Sequence, residues 1–224
     1  SDVYKRQILF DMDGTLINSE AKYYAIWDQL LADNGYHLTV DFYRHILGMP
    51  MSGIQQTFTD HYGTGFPFDT LFSAFLKQRT ALVQHGNFEL ILGTRAFLKA
   101  CGHHQISYGL VTSSYRNETQ AILEKLDLAS YFQFALFGDE TQHGKPDPEI
   151  YLQAIAKSGF PPDEVVAFED SKNGILSAKN AGLAVYRIEN PVPIDADIFD
   201  LVTASFSNYD EALEFFHLNQ EQLQ

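Results

Sequence analysis

The chain has 224 residues, 45% of them hydrophobic, which is enough for one large domain or for a core domain with a smaller partner. The formal charge of −14 disfavours nucleic acid and anionic membranes as partners, because the average field of the protein repels phosphate. Cys101 is the single cysteine, so an intrachain disulfide framework is excluded. No apolar run approaches the roughly 18 residues of a membrane-spanning helix, and we expect no signal peptide before Ile8. These features predict a cytoplasmic protein and leave the oligomeric state open.

The first predicted element is a buried strand that ends at two carboxylates. Ile8 to Phe10 form the apolar run, and Asp11-Met12-Asp13-Gly14 follows it directly. Alternate residues of an extended chain share a face, so Asp11 and Asp13 are expected on the same side at the carboxyl end of the strand. Ligands of open α/β sheets bind beyond these ends. Two carboxylates at such a short distance repel each other and require a cation or a shared proton. The ordinary alternative is that the Asp-Gly pair only forms a turn.

The next seventy residues show only helical patterns. Apolar residues recur at three- and four-residue spacings between 25 and 31, and further helices are predicted over 42–47, 54–62 and 71–83. No alternating strand pattern occurs between about 18 and 84. We therefore predict an α-helical cap domain over residues 18–85, inserted into a core domain formed by residues 1–17 and 86–224.

The remainder of the chain alternates between strands and helices. The predicted strands are 108–111, 134–137, 165–168, 183–188 and 201–204, and the predicted helices are 94–101, 117–126, 149–158, 174–181 and 210–216. This alternation is typical of an α/β fold with a doubly wound parallel sheet and right-handed crossovers.

Polar clusters follow several of these strands. Thr112-Ser113-Ser114 comes after the second strand, Glu169-Asp170 follows the strand at 165–168, and Lys145 lies in a loop before a helix. Each has an ordinary explanation: the first two clusters could cap helices, and Lys145 could be a solvated lysine. Their joint occurrence at the ends of parallel strands predicts one shared site.

Phosphoryl transfer is the chemistry that needs this set of groups. Asp11 and Asp170 offer the hard oxygen ligands that Mg²⁺ prefers, and a free oxygen of Asp11 could attack phosphorus. Asp13 could protonate the leaving alcohol and later activate water. The Thr112 hydroxyl and the Ser113 amide could hold phosphate oxygens, and Lys145 could offset the accumulated negative charge.

The order and spacing of these motifs resemble the haloacid dehalogenase superfamily over about residues 8–190. The matching segments are Asp11-Met12-Asp13-Gly14-Thr15-Leu16, Thr112, Gly144-Lys145-Pro146-Asp147-Pro148 and Glu169-Asp170-Ser171. The chain is most similar to the branch with an α-helical cap after the first motif, which includes phosphoglycolate phosphatases and β-phosphoglucomutases.

The resemblance implies a Rossmann-like core with Asp11 as nucleophile and Asp13 as general acid and base. It implies Mg²⁺ bound by Asp11, the Asp13 carbonyl and Asp170, with Glu169 nearby or as an alternate ligand. Thr112 and Lys145 would bind the phosphoryl group. Dehalogenases and phosphonate-cleaving members lack the second aspartate of the first motif, so Asp13 argues against both.

The resemblance leaves two enzymatic activities to compare. Mutases of this branch place a basic residue in the cap loop, which here is Leu47-Gly48-Met49-Pro50-Met51 and contains no lysine or arginine. Arg44, Lys77 and Arg79 are cations that could reach the cleft from other cap helices. We therefore expect a Mg²⁺-dependent phosphatase acting on a small phosphorylated metabolite, a sugar or organic-acid phosphate, through an aspartyl-phosphate. A β-phosphoglucomutase-like enzyme and a catalytically silent phospho-ligand-binding protein are the alternatives.

Overall fold

The computed structural model describes residues 5–47, 49, 51–190 and 194–218. Within these ranges the chain forms a six-stranded sheet in which all paired strands are parallel. The strands are β1 Gln7–Phe10, β2 Ser107–Val111, β3 Phe134–Leu136, β4 Val165–Glu169, β5 Ala184–Ile188 and β6 Ala204–Phe206. Their spatial order is β3-β2-β1-β4-β5-β6. This order confirms the predicted doubly wound, Rossmann-like α/β fold.

The sheet is buried on both faces, as the apolar character of its strands predicts. Leu9 of β1 faces one hydrophobic cluster, whereas Ile8 and Phe10 face the other. Helices α5 Thr94–His103, α6 Arg116–Lys125 and α10 Tyr209–Phe215 cover the face of Ile8 and Phe10. Helices α7 Glu149–Ser158, α8 Lys172–Asn180 and α9 Ala196–Phe199 cover the opposite face.

In the described part of the chain between β1 and α5 there are four helices, which we call the helical insertion. They are α1 Glu20–Asp33, α2 Val40–Ile46, α3 Met51–Tyr62 and α4 Phe68–His85. Trp27 stacks on Phe75 with ring centroids 4.5 Å apart and lies 4.7 Å from the ring of Phe58. Aromatic contacts of this kind join α1, α3 and α4. The predicted helical content of this segment is confirmed for the described residues, whereas the domain boundaries remain a prediction.

The last predicted strand is displaced from its position in the structure. The sequence suggests a strand at 201–204, but β6 spans Ala204–Phe206. The amide of Leu201 bonds to the Ile198 carbonyl at 3.1 Å and thereby closes the short helix α9, which the sequence pattern did not indicate. Leu201 lies in a turn and packs against the core from there, so its apolar side chain did not indicate a strand.

None of the described helices combines the length and the apolar character needed to cross a membrane.

Candidate active site

The topology brings the ends of three strands to one crevice. β1 pairs with β2 on one side and with β4 on the other, with Phe10 opposite both Leu110 and Phe168. The strand order changes direction at β1, which is where open α/β sheets form a ligand crevice. Five of the predicted site residues line the resulting cleft, namely Asp11, Asp13, Thr112, Ser113 and Asp170.

Lys145 lies at the centre of a buried ion cluster beneath this cleft. Its Nζ donates to Asp11 Oδ1 at 2.7 Å, to Glu169 Oε1 at 2.6 Å and to the Val111 carbonyl at 3.1 Å. The side chain of Lys145 is 2% exposed, so it is not a solvated surface lysine. Tyr151 of α7 donates to the same Glu169 oxygen at 2.6 Å. The cluster therefore fixes the Asp11 carboxylate from behind, and the binding of a phosphoryl group by Lys145 remains a prediction.

The electrostatics of the cluster indicate excess negative charge. Burial raises the pKa of Asp11, and the neighbouring Glu169 and Asp170 add to this increase while Lys145 opposes it. The pKa of Asp170 is raised for the same reasons, burial first and Glu169 second. Burial by itself would lower the pKa of Lys145, but the two bound carboxylates outweigh that effect and raise it. One ammonium group thus faces three carboxyl groups in a site with little access to water.

Gly14 is required both for the turn after β1 and for the position of Asp170. Its φ of +78° lies in the region that favours glycine, and an added Cβ would collide with the Asp170 carboxylate. Thr15 Oγ1 donates to Asp170 Oδ1 at 3.2 Å, and Asn190 Nδ2 donates to its other oxygen. The Asp-Gly pair therefore forms a turn and also helps to build the candidate site, so the two explanations of this motif do not exclude each other.

Asp11, Glu169 and Asp170 fit a divalent cation. One carboxylate oxygen from each residue lies within 4.8 Å of the other two, and all three residues are buried. Glu169 Oε2 is buried without a hydrogen-bond partner among the described residues, so the cluster has unused acceptor capacity. Hard oxygen donors of this kind suit Mg²⁺. The Asp13 carboxylate lies outside this three-carboxylate cluster, and the proposed role of its backbone carbonyl as a ligand remains a prediction.

Two serine hydroxyls position the Asp13 carboxylate. Ser19 Oγ donates to Oδ1 at 2.7 Å, and Ser114 Oγ donates to Oδ2 at 2.7 Å. Ser114 in turn accepts from Arg79 Nη2 of α4 at 2.9 Å. Asp13 is therefore linked through one hydroxyl to the helical insertion.

The alternative explanation as helix caps fails for both strand-end clusters. The N-cap of α8 is Ser171, whose hydroxyl accepts from the Gly174 amide at 3.1 Å, so Glu169 and Asp170 do not cap this helix. The N-cap position of α6 is Tyr115, beyond the Thr112-Ser113-Ser114 cluster. Thr112 Oγ1 instead accepts from the Ser114 amide at 3.0 Å and so shapes the loop at the cleft.

The helical insertion adds residues that the sequence analysis did not assign. Glu20 and Tyr43 line the cleft, and Tyr43 Oη donates to Glu20 Oε2 at 2.9 Å. Glu20 lies in the first turn of α1, where acidic residues are common in helices. Its position in the sequence therefore did not indicate a role in the site. Of the three cap cations that the sequence named, Arg79 lines the cleft, whereas Lys77 is exposed and Arg44 pairs with Asp41 and Asp195. Gly48 and Pro50 of the predicted cap loop lie outside the described residues.

Glu20 provides a pH-dependent test of this geometry. Burial, followed by the proximity of Asp13, raises the pKa of Glu20 from 4.5 to about 8. The folded protein therefore retains a proton that the unfolded chain loses above about pH 4.5, so this group makes the free energy of unfolding fall as pH rises. The fall ends above pH 8, where Glu20 is ionised in both states. One such proton corresponds to about 1.4 kcal/mol per pH unit.

We expect Glu20→Gln to reduce this slope between pH 5.5 and 7.5, because the amide does not ionise and still accepts from Tyr43. Denaturant unfolding of the metal-free protein at several pH values measures the effect. Glu124→Gln, at an exposed position of α6, is the matched control for the substitution itself. An identical pH slope in wild type and Glu20→Gln would contradict the buried, protonated state of Glu20.

The fold, the order of the motifs and the position of the crevice are together typical of one class of hydrolases. The chain matches the model of the family described as "Haloacid dehalogenase-like hydrolase" over residues 8–188. This match covers most of the chain, so the chain belongs to that family.

Individual members of this family are similar to the chain over most of its length. It is 33% identical over 188 residues to a "Phosphorylated carbohydrates phosphatase" of Thermotoga maritima, covering 79% of this chain and 81% of that protein. It is 31% identical over 177 residues to a "Validoxylamine A 7'-phosphate phosphatase" of Streptomyces hygroscopicus subsp. limoneus, covering 78% and 81%. The crystal structure of CbbY from Rhodobacter sphaeroides in complex with phosphate has a TM-score of 0.77 at 23% identity, covering 92% of this chain and 96% of that one. That structure shares the fold.

Proposed function

We propose that this chain is a Mg²⁺-dependent phosphatase that hydrolyses a small phosphorylated sugar through an aspartyl-phosphate on Asp11. The observation that carries the proposal is the pairing of two differently held carboxylates in one cleft. Asp11 is bound from behind by Lys145, and Asp13 is oriented by Ser19 and Ser114. Different environments suit different roles, a nucleophile and a proton donor. Membership of the hydrolase family and relatives named as phosphatases of phosphorylated carbohydrates support the same class, a phosphoric monoester hydrolase.

The chain's own residues account for both halves of the reaction. A carboxylate oxygen of Asp11 attacks phosphorus, the ester P–O bond breaks, and the leaving alkoxide takes a proton from Asp13. Asp13 then removes a proton from water as the water oxygen attacks phosphorus. The bond between the Asp11 oxygen and phosphorus breaks, inorganic phosphate leaves, and Asp11 is again a carboxylate while Asp13 is again protonated. The Thr112 hydroxyl and the Ser113 amide are proposed to hold the phosphoryl oxygens at the mouth of the crevice.

Charge compensation is the second requirement of this chemistry. Asp11, Asp170 and either the Asp13 carbonyl or Glu169 would hold the magnesium ion. Its charge would offset the negative charge that the phosphoryl group brings to the carboxylates. Lys145 keeps the Asp11 carboxylate oriented from the side away from the cleft. The helical insertion would close over the substrate, exclude bulk water and contact the leaving group.

The deciding experiment is release of inorganic phosphate from a panel of small phosphate esters, with Mg²⁺ and after removal of metal by a chelator. The panel includes sugar phosphates, hexitol phosphates, phosphoglycolate and β-glucose 1-phosphate. We expect release from sugar or hexitol phosphates that disappears with the chelator and returns with Mg²⁺. Rapid acid quenching during turnover of a ³²P-labelled ester is expected to trap a label that hydroxylamine removes, as for an acyl phosphate.

Two results would contradict this proposal. Conversion of β-glucose 1-phosphate to glucose 6-phosphate with little free phosphate would identify a mutase. The two relatives above are both named as phosphatases and do not favour a mutase. Silence across the panel, together with binding of one of these esters without turnover, would identify a phospho-ligand-binding protein.

A further inference from the structure

The side of the cleft that faces the leaving group is formed mainly by the helical insertion. The cleft has a volume of about 110 Å³, and residues of α1, α2 and α4 surround it opposite the strand ends. The insertion contributes aromatic and aliphatic side chains, and its charged residues in the cleft are Glu20 and Arg79. Glu20, Tyr23, Tyr43 and Arg79 carry polar groups at this side of the cleft.

Arg79 is the one arginine or lysine among the described residues that line this cleft. Its charge is already compensated, because Nη2 lies 3.0 Å from Glu118 Oε2 of α6. The arginine side chain is 9% exposed and that of Glu118 is 13% exposed, so water screens this ion pair only weakly. The guanidinium also donates to Ser114 and lies 4.8 Å from the ring centre of Tyr23. Arg79 is thus held in place as half of a neutral pair.

The other titratable groups that face the substrate are acidic. Glu20 is buried in the cleft wall with Tyr43 as its hydrogen-bond donor, and Asp13 lies on the opposite side, linked to Arg79 through Ser114. Glu20 and Asp13 offer no positive charge to a leaving group with its own negative charge, and the one cation among the described cleft residues is already paired. A leaving group with hydroxyls would instead find donors and acceptors that match it, since carboxyl, phenol and guanidinium groups all bind hydroxyls.

We propose that Glu118, by pairing with Arg79, restricts the substrate to phosphate monoesters whose leaving group carries hydroxyls and no second anionic group. Glu118 is therefore a positioning residue that acts through Arg79. This inference rests on the proposed phosphatase function and specifies its substrate class.

Matched pairs of substrates test the inference in the wild-type protein. Glucitol 6-phosphate and 6-phosphogluconate differ at one terminal carbon, which is a neutral CH₂OH in the first and a carboxylate in the second. Glycerol 3-phosphate and 3-phosphoglycerate form a smaller pair with the same difference. We expect kcat/KM to be at least about tenfold higher for the neutral member, with most of the difference in KM. Equal values, or preference for the anionic member, would overturn the inference and leave the phosphatase intact. Absence of phosphate release from all four esters and from the wider panel would instead remove the proposed function.

Substitution of Glu118 tests the residue itself. Glu118→Gln removes the compensating charge and is expected to raise kcat/KM for the anionic member relative to the neutral one by at least about tenfold, mainly through KM. Glu118→Asp retains the charge and is expected to keep the wild-type ratio. A Glu118→Gln ratio equal to that of wild type would overturn the role of Glu118. Thermal unfolding curves identify a poorly folded variant, in which case Glu118→Met, which removes the same charge with an apolar side chain of similar length, is expected to shift the ratio in the same direction, and an unchanged ratio would overturn the role of Glu118.

Discussion

Asp11→Asn is expected to abolish turnover, lowering kcat by at least about 10⁴-fold, as substitution of covalent nucleophiles does in other enzymes. The amide nitrogen is a poor nucleophile toward phosphorus, and the neutral side chain is a weaker ligand for a divalent cation. The substitution also changes the partner of Lys145, whose Nζ donates to Asp11 Oδ1. Phosphate release under saturating substrate and Mg²⁺ measures the loss, and the same variant should yield no hydroxylamine-sensitive phosphoenzyme.

The control for this experiment is Asp33→Asn, the same substitution at an exposed position near the end of α1. Asp33 accepts from Gln29 on the helix surface and does not line the cleft, so near wild-type turnover is expected. Circular dichroism of the Asp11→Asn variant establishes that it is folded. Turnover within tenfold of wild type in a folded Asp11→Asn protein would remove Asp11 from the role of nucleophile.

Lys145→Met is expected to have the largest effect on stability. The substitution leaves Asp11 and Glu169 buried without their shared cation, beside Asp170. Removal of one partner from a buried ion pair typically costs about 3–5 kcal/mol, because the remaining charge keeps its desolvation penalty without compensation. Denaturant unfolding of the metal-free protein measures this loss. We expect the difference from wild type to narrow as pH falls, since Asp11 and Asp170, whose pKa values burial already raises, then take up protons.

The matched control is Lys172→Met. Lys172 pairs with Asp195 at 2.9 Å, but both side chains are 34% exposed, so solvent screens the pair. Exposed ion pairs contribute about 0–1 kcal/mol, and a loss in that range is expected. Similar losses for both substitutions would show that the burial of Lys145 is not what gives its ion pairs their strength. Added Mg²⁺ is expected to restore more stability to Lys145→Met than to the control, since a bound cation would replace part of the missing charge.

Local patterns predicted the elements that are long or buried on both sides. The strand at Ile8 to Phe10 and the helix Glu149–Ser158 were both predictable, because a doubly buried strand is a continuous apolar run and an amphipathic helix repeats every three to four residues. Short elements were less predictable. Leu201 belongs to a turn and α9 has only four residues, and no local pattern separates such segments from a strand.

The sequence by itself determined which chemical groups this protein has and the order in which they occur. Asp11, Asp13, Thr112, Lys145 and the Glu169-Asp170 pair follow predicted strands or adjacent loops, and parallel strands necessarily present their carboxyl ends at one edge. Such an argument can place the groups at a common rim, but it contains no information on which of them touch.

Only the tertiary structure decided those contacts. Lys145 binds Asp11 and Glu169 over separations of 134 and 24 residues, and Ser114 reaches Asp13 over 101 residues. The pairing of Arg79 with Glu118 likewise joins the helical insertion to α6. These contacts depend on how helices pack against the sheet, because packing, and not the local pattern, sets which side chains lose water and which charges they then meet.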